Sequence, residues 1–281
     1  MDFFPLEEKL QGVRLGTSSF TATGWLGSFY PSGLKTKDYL NYYSQHFDAV
    51  EVDSTFYGTP SEETLRRWVE QTPPNFKFAA KAPQLITHTK CMLNCREELL
   101  AFIKAMDNLG GKLGPLLFQF PYFGTQGVAY EDFLDRLEKF IRELPEGYQF
   151  AFEIRNKNWI EGRVLELLKE REIALALIAH PWMWSPSELF ARVDPMAAPF
   201  TYVRLLGDRY EIEQITKRWD KVIIDRETEL MEWAQQCLRI QRKGKTIYVF
   251  ANNHYAGHGP ATLKVFRRLY QAVRFQDGEQ E

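Results

Sequence analysis

The sequence is poor in the residues that most simply announce a function. It has three cysteines and five histidines in 281 residues. An odd cysteine count without regular spacing argues against a disulfide framework. Cys91 and Cys95 form C-x3-C, but Glu98 stands where the third cysteine of an iron–sulfur run would fall. The pair reads as two thiols at the start of a helix. The histidines, His46, His88, His180, His254 and His258, form no metal cluster. His254 and His258 are four apart, but on a glycine-bearing loop rather than one helix face.

Neither sign of charge dominates. A formal net charge of −2 provides no general attraction to nucleic acid or to an acidic membrane surface. Nucleic acid is therefore a disfavoured partner, which only a local basic groove would restore. No run approaches the ~20 apolar residues of a membrane span. The opening "MDFFPLEEKL" is acidic and lacks the apolar core of a signal peptide. The expectation is a soluble cytoplasmic protein with no membrane partner. The G-x-G-x-x-G of a dinucleotide-binding fold is absent after the first strand-like run.

What is present is alternation. Short β-like runs, "VRLGTSS" (13–19), "AVEVDSTFY" (49–57), "FKFAAKAP" (76–83) and "PLLFQFP" (115–121), are separated by helical patterns. They continue as "QFAFEIR" (149–155), "IALALIA" (173–179), "YVRLLG" (202–207) and "TIYVFANN" (246–253). Leu99, Ile103, Met106 and Leu109 form one apolar stripe that stops at Gly110. "TPSEETLRRWVE" suggests a capping box at Thr59, with Pro60 in the first turn and Glu62 three positions on. Leu263, Phe266, Leu269 and Val273 stripe the last helix. Only "HPWMWSPSELFARVDPMAAPF" offers no clean helix. Eight β/α repeats in this length predict a parallel (β/α)8 TIM barrel, one domain over residues 1–281.

In such a barrel the catalytic groups sit at the C-terminal strand ends, on the face turned to the axis. If Val50 and Val52 pack outward, Glu51 and Asp53 point inward together, about 7 Å apart. At an effective dielectric of ~20 they would repel by roughly 2.4 kcal/mol, enough to raise one pKa unless a cation intervenes. The pattern recurs: Lys81 shares a face with Ala79, Gln119 with Leu117, and Glu153 and Arg155 with Ala151. Arg204 lies in the seventh run, and Asn252 and Asn253 close the eighth. Such a set of charges, brought to one mouth, must pair with itself or hold a charged ligand.

Gly207, Gly257 and Gly259 follow the last two strands, where barrels often bind phosphate against backbone N–H groups and a helix N-terminus. Ordinary turn chemistry accounts for them equally well. Trp25, Phe29 and Tyr30 after the first run, and Trp182 and Trp184 after the sixth, are core candidates. Any that reach the mouth would stack on a sugar or a base.

"GTSSF", "GWLGSFYP", "VEVDSTFYGTP", "FKFAAKAPQLITH", "PLLFQFP", "FEIRNKNW", "YVRLLG" and "VFANNHYAGHGP", in this order between about residues 13 and 265, resemble the YecE-like family (domain of unknown function 72). The resemblance implies a (β/α)8 barrel and supplies no established reaction. It carries over Glu51, Tyr57, Lys81, Gln119, Glu153, Arg155, Trp159, Arg204 and Asn253 as matching polar or aromatic positions. The chain departs from it at three places: the family commonly has Asn at Asp53, an aromatic at Ala251 and Asn at Thr262.

The functional expectation is an enzyme acting on a small polar substrate, sugar-like or phosphorylated, by hydrolysis or isomerisation. Glu153 would be the general acid or base, with Glu51 and Asp53 as the other catalytic carboxylates. Tyr57, Lys81, Gln119, Arg155, Arg204, Asn252 and Asn253 would bind substrate. No cofactor is expected; one divalent metal on Glu51, Asp53 and Glu153 is the alternative. The other readings are a nucleic-acid-processing protein resembling a barrel endonuclease, and a small-molecule-binding protein without catalysis.

Overall fold

The computed structural model describes residues 9–194 and 198–278; the opening stretch 1–8 lies outside them. Among the described residues eight strands form one parallel sheet: β1 Val13–Thr17, β2 Ala49–Val52, β3 Lys77–Lys81, β4 Leu113–Gln119, β5 Phe150–Glu153, β6 Ala174–Ala179, β7 Phe200–Leu205 and β8 Thr246–Ala251. From β2 to β8 each strand pairs with its sequence neighbours, and β1 pairs with β8, so the sheet curls round until β1 and β2 face each other across one seam. Helices follow the strands: α1 Tyr39–His46, α2 Glu62–Glu70, α3 Arg96–Met106, α4 Tyr130–Glu143 and α5 Gly162–Glu170. The series continues with α6 Pro186–Arg192, α7 Arg209–Ile215, α8 Glu227–Gln241, α9 Asn253–Ala256 and α10 Gly259–Gly278. No helix among the described residues is long and apolar enough to cross a membrane.

The seam between β1 and β2 is closed differently from the others. Asp48 N–H donates to Leu15 O at 3.0 Å. Above it the Tyr43 hydroxyl, reaching in from α1, accepts from Thr17 N–H at 2.7 Å and donates to Ala49 O at 3.1 Å. One phenol thus stands in for a ladder hydrogen bond. Gly16 lets the strands approach: a Cβ there would lie 2.2 Å from Ala49 O.

The period-2 alternation separates two cores. Val50, Val52, Phe78, Phe118 and Phe152 pack outward among the helices. Inside the barrel, Ala49, Ala79, Ala151 and Ala176 on one side meet Phe200, Tyr202, Tyr248 and Phe250 from β7 and β8 on the other. Small residues make room for the aromatics, so the interior is filled rather than open.

Three local expectations change. The run 49–57 leaves the strand after Val52, and Asp53–Phe56 turn as a 3₁₀ helix. α2 starts at Glu62 with Ser61 as its cap, the Ser61 Oγ accepting from Thr64 N–H, so the Thr59 box is not formed. The stretch before β7 does hold a helix. Ser185 and Glu188 form a reciprocal capping box with Pro186 in the first turn of α6. That signal is present in "SPSE" but is followed by only one and a half turns of apolar pattern.

Candidate functional site

At the C-terminal end of the barrel the inward positions become polar. Arg204, near the end of β7, is 2% exposed and lies at the centre. Its Nε and Nη2 donate to the two oxygens of Glu51 at 2.8 and 2.7 Å. Nη1 donates to Glu153 Oε2 at 2.5 Å, and Nη2 also reaches Asp53 Oδ1 at 3.3 Å. Tyr202 adds a 2.6 Å hydrogen bond to Glu51, and Arg155 Nε one of 2.8 Å to Glu153. The guanidinium planes itself on Glu51 as a fork and uses its remaining face for Glu153.

This core is saturated. Glu51 and Glu153 are fully buried, and the guanidinium lies between them. They cannot flank a glycosidic bond as paired hydrolytic carboxylates do, because Arg204 fills that space. The oxygens of Glu51, Asp53 and Glu153 on which a divalent metal would sit accept hydrogen bonds from Arg204. Among the described residues no group of three or more His, Cys, Asp or Glu side chains is arranged to hold a metal ion.

The carboxylates differ in what they can do. Burial alone would raise the pKa of Glu153, but Arg204 and Arg155 outweigh it and bring it down to about 2. Glu153 is therefore a fixed anion at neutral pH and a poor general acid. Asp53 is pushed up to about 6, first by burial and then by repulsion from Glu51, with Arg204 and Lys81 opposing. It is also the accessible member, with its side chain 32% exposed. Thr55 positions it: its hydroxyl lies 2.7 Å from both Val52 O and Lys81 O, tying the 3₁₀ turn to the end of β3.

Lys81 is half-buried, and its Nζ sits 4.0 Å from the centroid of the Phe56 ring. Burial, with a smaller push from Arg204, lowers its pKa, and Asp53 works against that shift. Arg155 and Arg204 are both engaged by carboxylates within 4 Å, whereas Lys81 has no such partner among the described residues. Beside it, His88 is brought down to about 4 by burial and by the charges of Lys81 and Arg155. His88 Nδ1 lies 2.9 Å from Thr87 Oγ1, and its ring meets Phe56 edge-on at 4.9 Å. Phe56, His88 and Tyr202 were not singled out from the sequence. Tyr202 was legible there, two residues before Arg204 on the same strand face.

Other expected site residues have structural duties. Gln119, 4% exposed, donates to Phe120 O at 2.6 Å beside Glu153 in the β4–β5 register. Asn252 caps α9 through His254 N–H at 3.0 Å. Asn253 Oδ1 accepts from Trp25 Nε1 at 3.1 Å and from Gly259 N–H at 2.8 Å. Tyr57 is 84% exposed. Trp25, Phe29 and Tyr30 are buried core, whereas Trp182 is 59% exposed.

The three glycines have packing reasons. A Cβ on Gly207 (φ +67°) would meet His254 O at 2.5 Å, and one on Gly257 (φ +107°) would meet Lys221 O at 2.6 Å. At the N-terminus of α10, the amides that a phosphate would use are taken. Gly259 N–H goes to Asn253 and Ala261 N–H to His258 Nδ1 at 2.9 Å. The geometry favours turn chemistry over phosphate binding there. At the end of β1, by contrast, the Ser18 Oγ is buried without a hydrogen-bond partner among the described residues.

Comparison with known proteins follows the same outline. The sequence profile described as "Protein of unknown function DUF72" matches residues 14–280. YunF of Bacillus subtilis is 27% identical over 259 residues, 84% of this chain and 88% of YunF. YecE of Escherichia coli K12 is 31% identical over 118 residues, a match that takes in 42% of this chain and 41% of YecE's length. The crystal structure of a DUF72 family protein from Thermotoga maritima superimposes with a TM-score of 0.74 at 26% identity, covering 92% of this chain and 99% of that one. With a profile match over nearly its whole length and the same eight-stranded barrel, the chain belongs to the DUF72 family.

Proposed function

We propose that the protein is an enzyme working at the C-terminal mouth of the barrel on a small, polar, anionic substrate of the sugar-like or phosphorylated kind. The observation that carries this reading is the juxtaposition of Asp53 and Lys81. One is an accessible carboxyl held near pKa 6, the other an ammonium without a carboxylate partner within 4 Å among the described residues. Structural ion pairs neutralise each other; here Lys81 is left over after Arg204 has bound Glu51 and Glu153, and Asp53 keeps only a 3.3 Å contact to a guanidinium nitrogen shared with Glu51.

The roles follow from the surroundings. A carboxyl with pKa near the working pH is suited to moving a proton in either direction. Asp53 is therefore the proton carrier, replacing Glu153 in that role. Lys81 and the outer nitrogens of Arg155 hold the anionic group of the substrate or the negative charge that develops on it. Glu51, Glu153 and Arg204 form the platform: a closed ion-pair set that keeps its shape while charge changes above it. Proton transfer within one substrate, as in an isomerisation, needs only Asp53 and a cation. It fits this arrangement better than a hydrolysis requiring two free carboxyls.

The test is a thermal-shift screen of wild type, Lys81→Ala and Asp53→Asn against sugar phosphates, sugar acids and inorganic phosphate. The expected result is a ligand that raises the wild-type Tm by several degrees and fails to do so for Lys81→Ala. Asp53→Asn should still bind it. A hit that stabilises Lys81→Ala equally would place binding elsewhere and defeat the reading.

A further inference from the structure

Beside the mouth lies a cleft of about 440 Å³ lined by Tyr122, Arg155, Asn156, Lys157, Trp159 and Trp182. Small-molecule sites typically occupy about 300–1,000 Å³, so it could hold more than a three-carbon substrate. Its floor is rigid. Asn156 Oδ1 accepts from Phe123 N–H and its Nδ2 donates to Phe123 O, both at 2.9 Å, pinning the loop after β4 to the one after β5. Trp159 stacks on Phe123 with centroids 5.5 Å apart and planes at 16°.

The walls are different in kind. Tyr122, from the loop after β4, is 60% exposed, and Trp182, from the loop after β6, 59%. They meet at 63° with centroids 6.5 Å apart. Two large rings from separate loops are thus left wet against one cavity, although burial of such rings is favourable. The charge of the lining is one-sided: Arg155 and Lys157 contribute, and no carboxylate does among the described residues. Arg155 links the cleft to the mouth. Its Nε is bonded to Glu153 while its side chain remains 39% exposed.

We infer that this cleft is the subsite for the ring of a ring-bearing phosphate ester. The flat face of the ring rests on Trp182 with Tyr122 against its edge, and the phosphate is held by Arg155 and Lys157. The inference rests on the mouth being an anion-binding reaction site and narrows its substrate class. The ring is either a nucleobase or the flat side of a pyranose, which share this chemistry of a stacking face joined to an anion.

The experiment is calorimetric titration of AMP, glucose 6-phosphate and glycerol 3-phosphate into wild type, Trp182→Ala, Lys157→Ala and Lys81→Ala. In wild type one of the two ringed esters should bind on the order of 10-fold or more tighter than glycerol 3-phosphate, the scale of one aromatic stacking contact. Trp182→Ala should erase that preference, while Lys157→Ala should weaken ringed and ringless esters by similar factors. The stronger of AMP and glucose 6-phosphate identifies the kind of ring. Equal affinity for glycerol 3-phosphate, or a preference that survives Trp182→Ala, overturns the ring subsite. If that equal binding still depends on Lys81, the reading of the mouth stands alone. Absence of binding by all three esters removes this inference and the phosphate form of the proposed substrate together, leaving sugar acids to the thermal-shift screen.

Discussion

Asp53 and Glu153 touch the same guanidinium, yet they lie on opposite sides of the ordinary carboxylate range. Glu153 receives two cations at close range, while Asp53 receives a 3.3 Å contact from a guanidinium nitrogen already shared with Glu51. The consequence for Asp53 has a definite sign. Its folded pKa of about 6 lies above its ordinary 3.8, so the folded state holds the proton more tightly and the ionised form opposes folding. After allowance for solvent screening this costs no more than about 2 kcal/mol at neutral pH. Asp53→Asn should therefore raise stability at pH 7–8 and lower turnover of any substrate by about 10²-fold or more. Chemical denaturation and a rate assay on the same preparation check both. A stable variant with undiminished rate would remove Asp53 from the chemistry. Asparagine keeps the shape of the aspartate side chain while removing its charge.

At the scale of elements, the barrel depends on how β1 meets β2. Elsewhere the ladder is supplied by strand neighbours, but here part of it is a side chain. Gly16→Ala inserts a methyl group at 2.2 Å from Ala49 O, a backbone atom that can move only with β2. The substitution should destabilise the protein by about 3 kcal/mol or more, as overpacking against fixed structure does. Tyr43→Phe leaves Thr17 N–H without its acceptor and should cost about 1–3 kcal/mol. Urea unfolding curves for the two variants measure this directly. Unchanged midpoints would mean that the seam contributes nothing to closure. Because Glu51 and Asp53 follow Ala49 in sequence, a strained seam should also weaken binding at the mouth.

For the molecule as a whole, the two perturbed carboxylates shape the pH dependence of stability. The folded pKa of Glu153, about 2, lies below its ordinary 4.5. Its contribution is complete above pH 4.5 and is lost as pH falls towards 2. Asp53 acts in the other direction: its penalty is full above pH 6 and fades as pH falls towards 3.8. His88 opposes Asp53 over the same range: held near 4, below its ordinary 6.5, it costs stability as pH falls. The Asp53 contribution is therefore read as the difference between wild type and Asp53→Asn in Tm series across pH 2.5–8. Asp53→Asn should be the more stable above about pH 6, converge with wild type towards pH 3.8 and keep the acid limb of Glu153. A difference that does not change with pH would remove the raised pKa of Asp53.

Much of this architecture was legible in one dimension. Alternation is a local property of an extended backbone, so the eight strands and the inward set of Glu51, Lys81, Gln119, Glu153 and Arg204 could be read directly. The stripe through Leu99, Ile103 and Met106 likewise follows from the helical repeat alone. What the tertiary structure decided was partnership. Arg204 is 153 positions from Glu51 and 51 from Glu153. Only closure of the barrel brings these three together and makes one platform of them. The strand's end at Val52 was equally non-local: Thr55 bonds to Lys81 O on β3, which turns Asp53 out of the strand pattern and into partial exposure. The same distinction separates the glycines and Asn253, bound to the packing of α9 and α10, from the partly exposed Asp53 and Lys81. Residue type and spacing determine which groups arrive at the mouth; burial and pairing determine which stay accessible there.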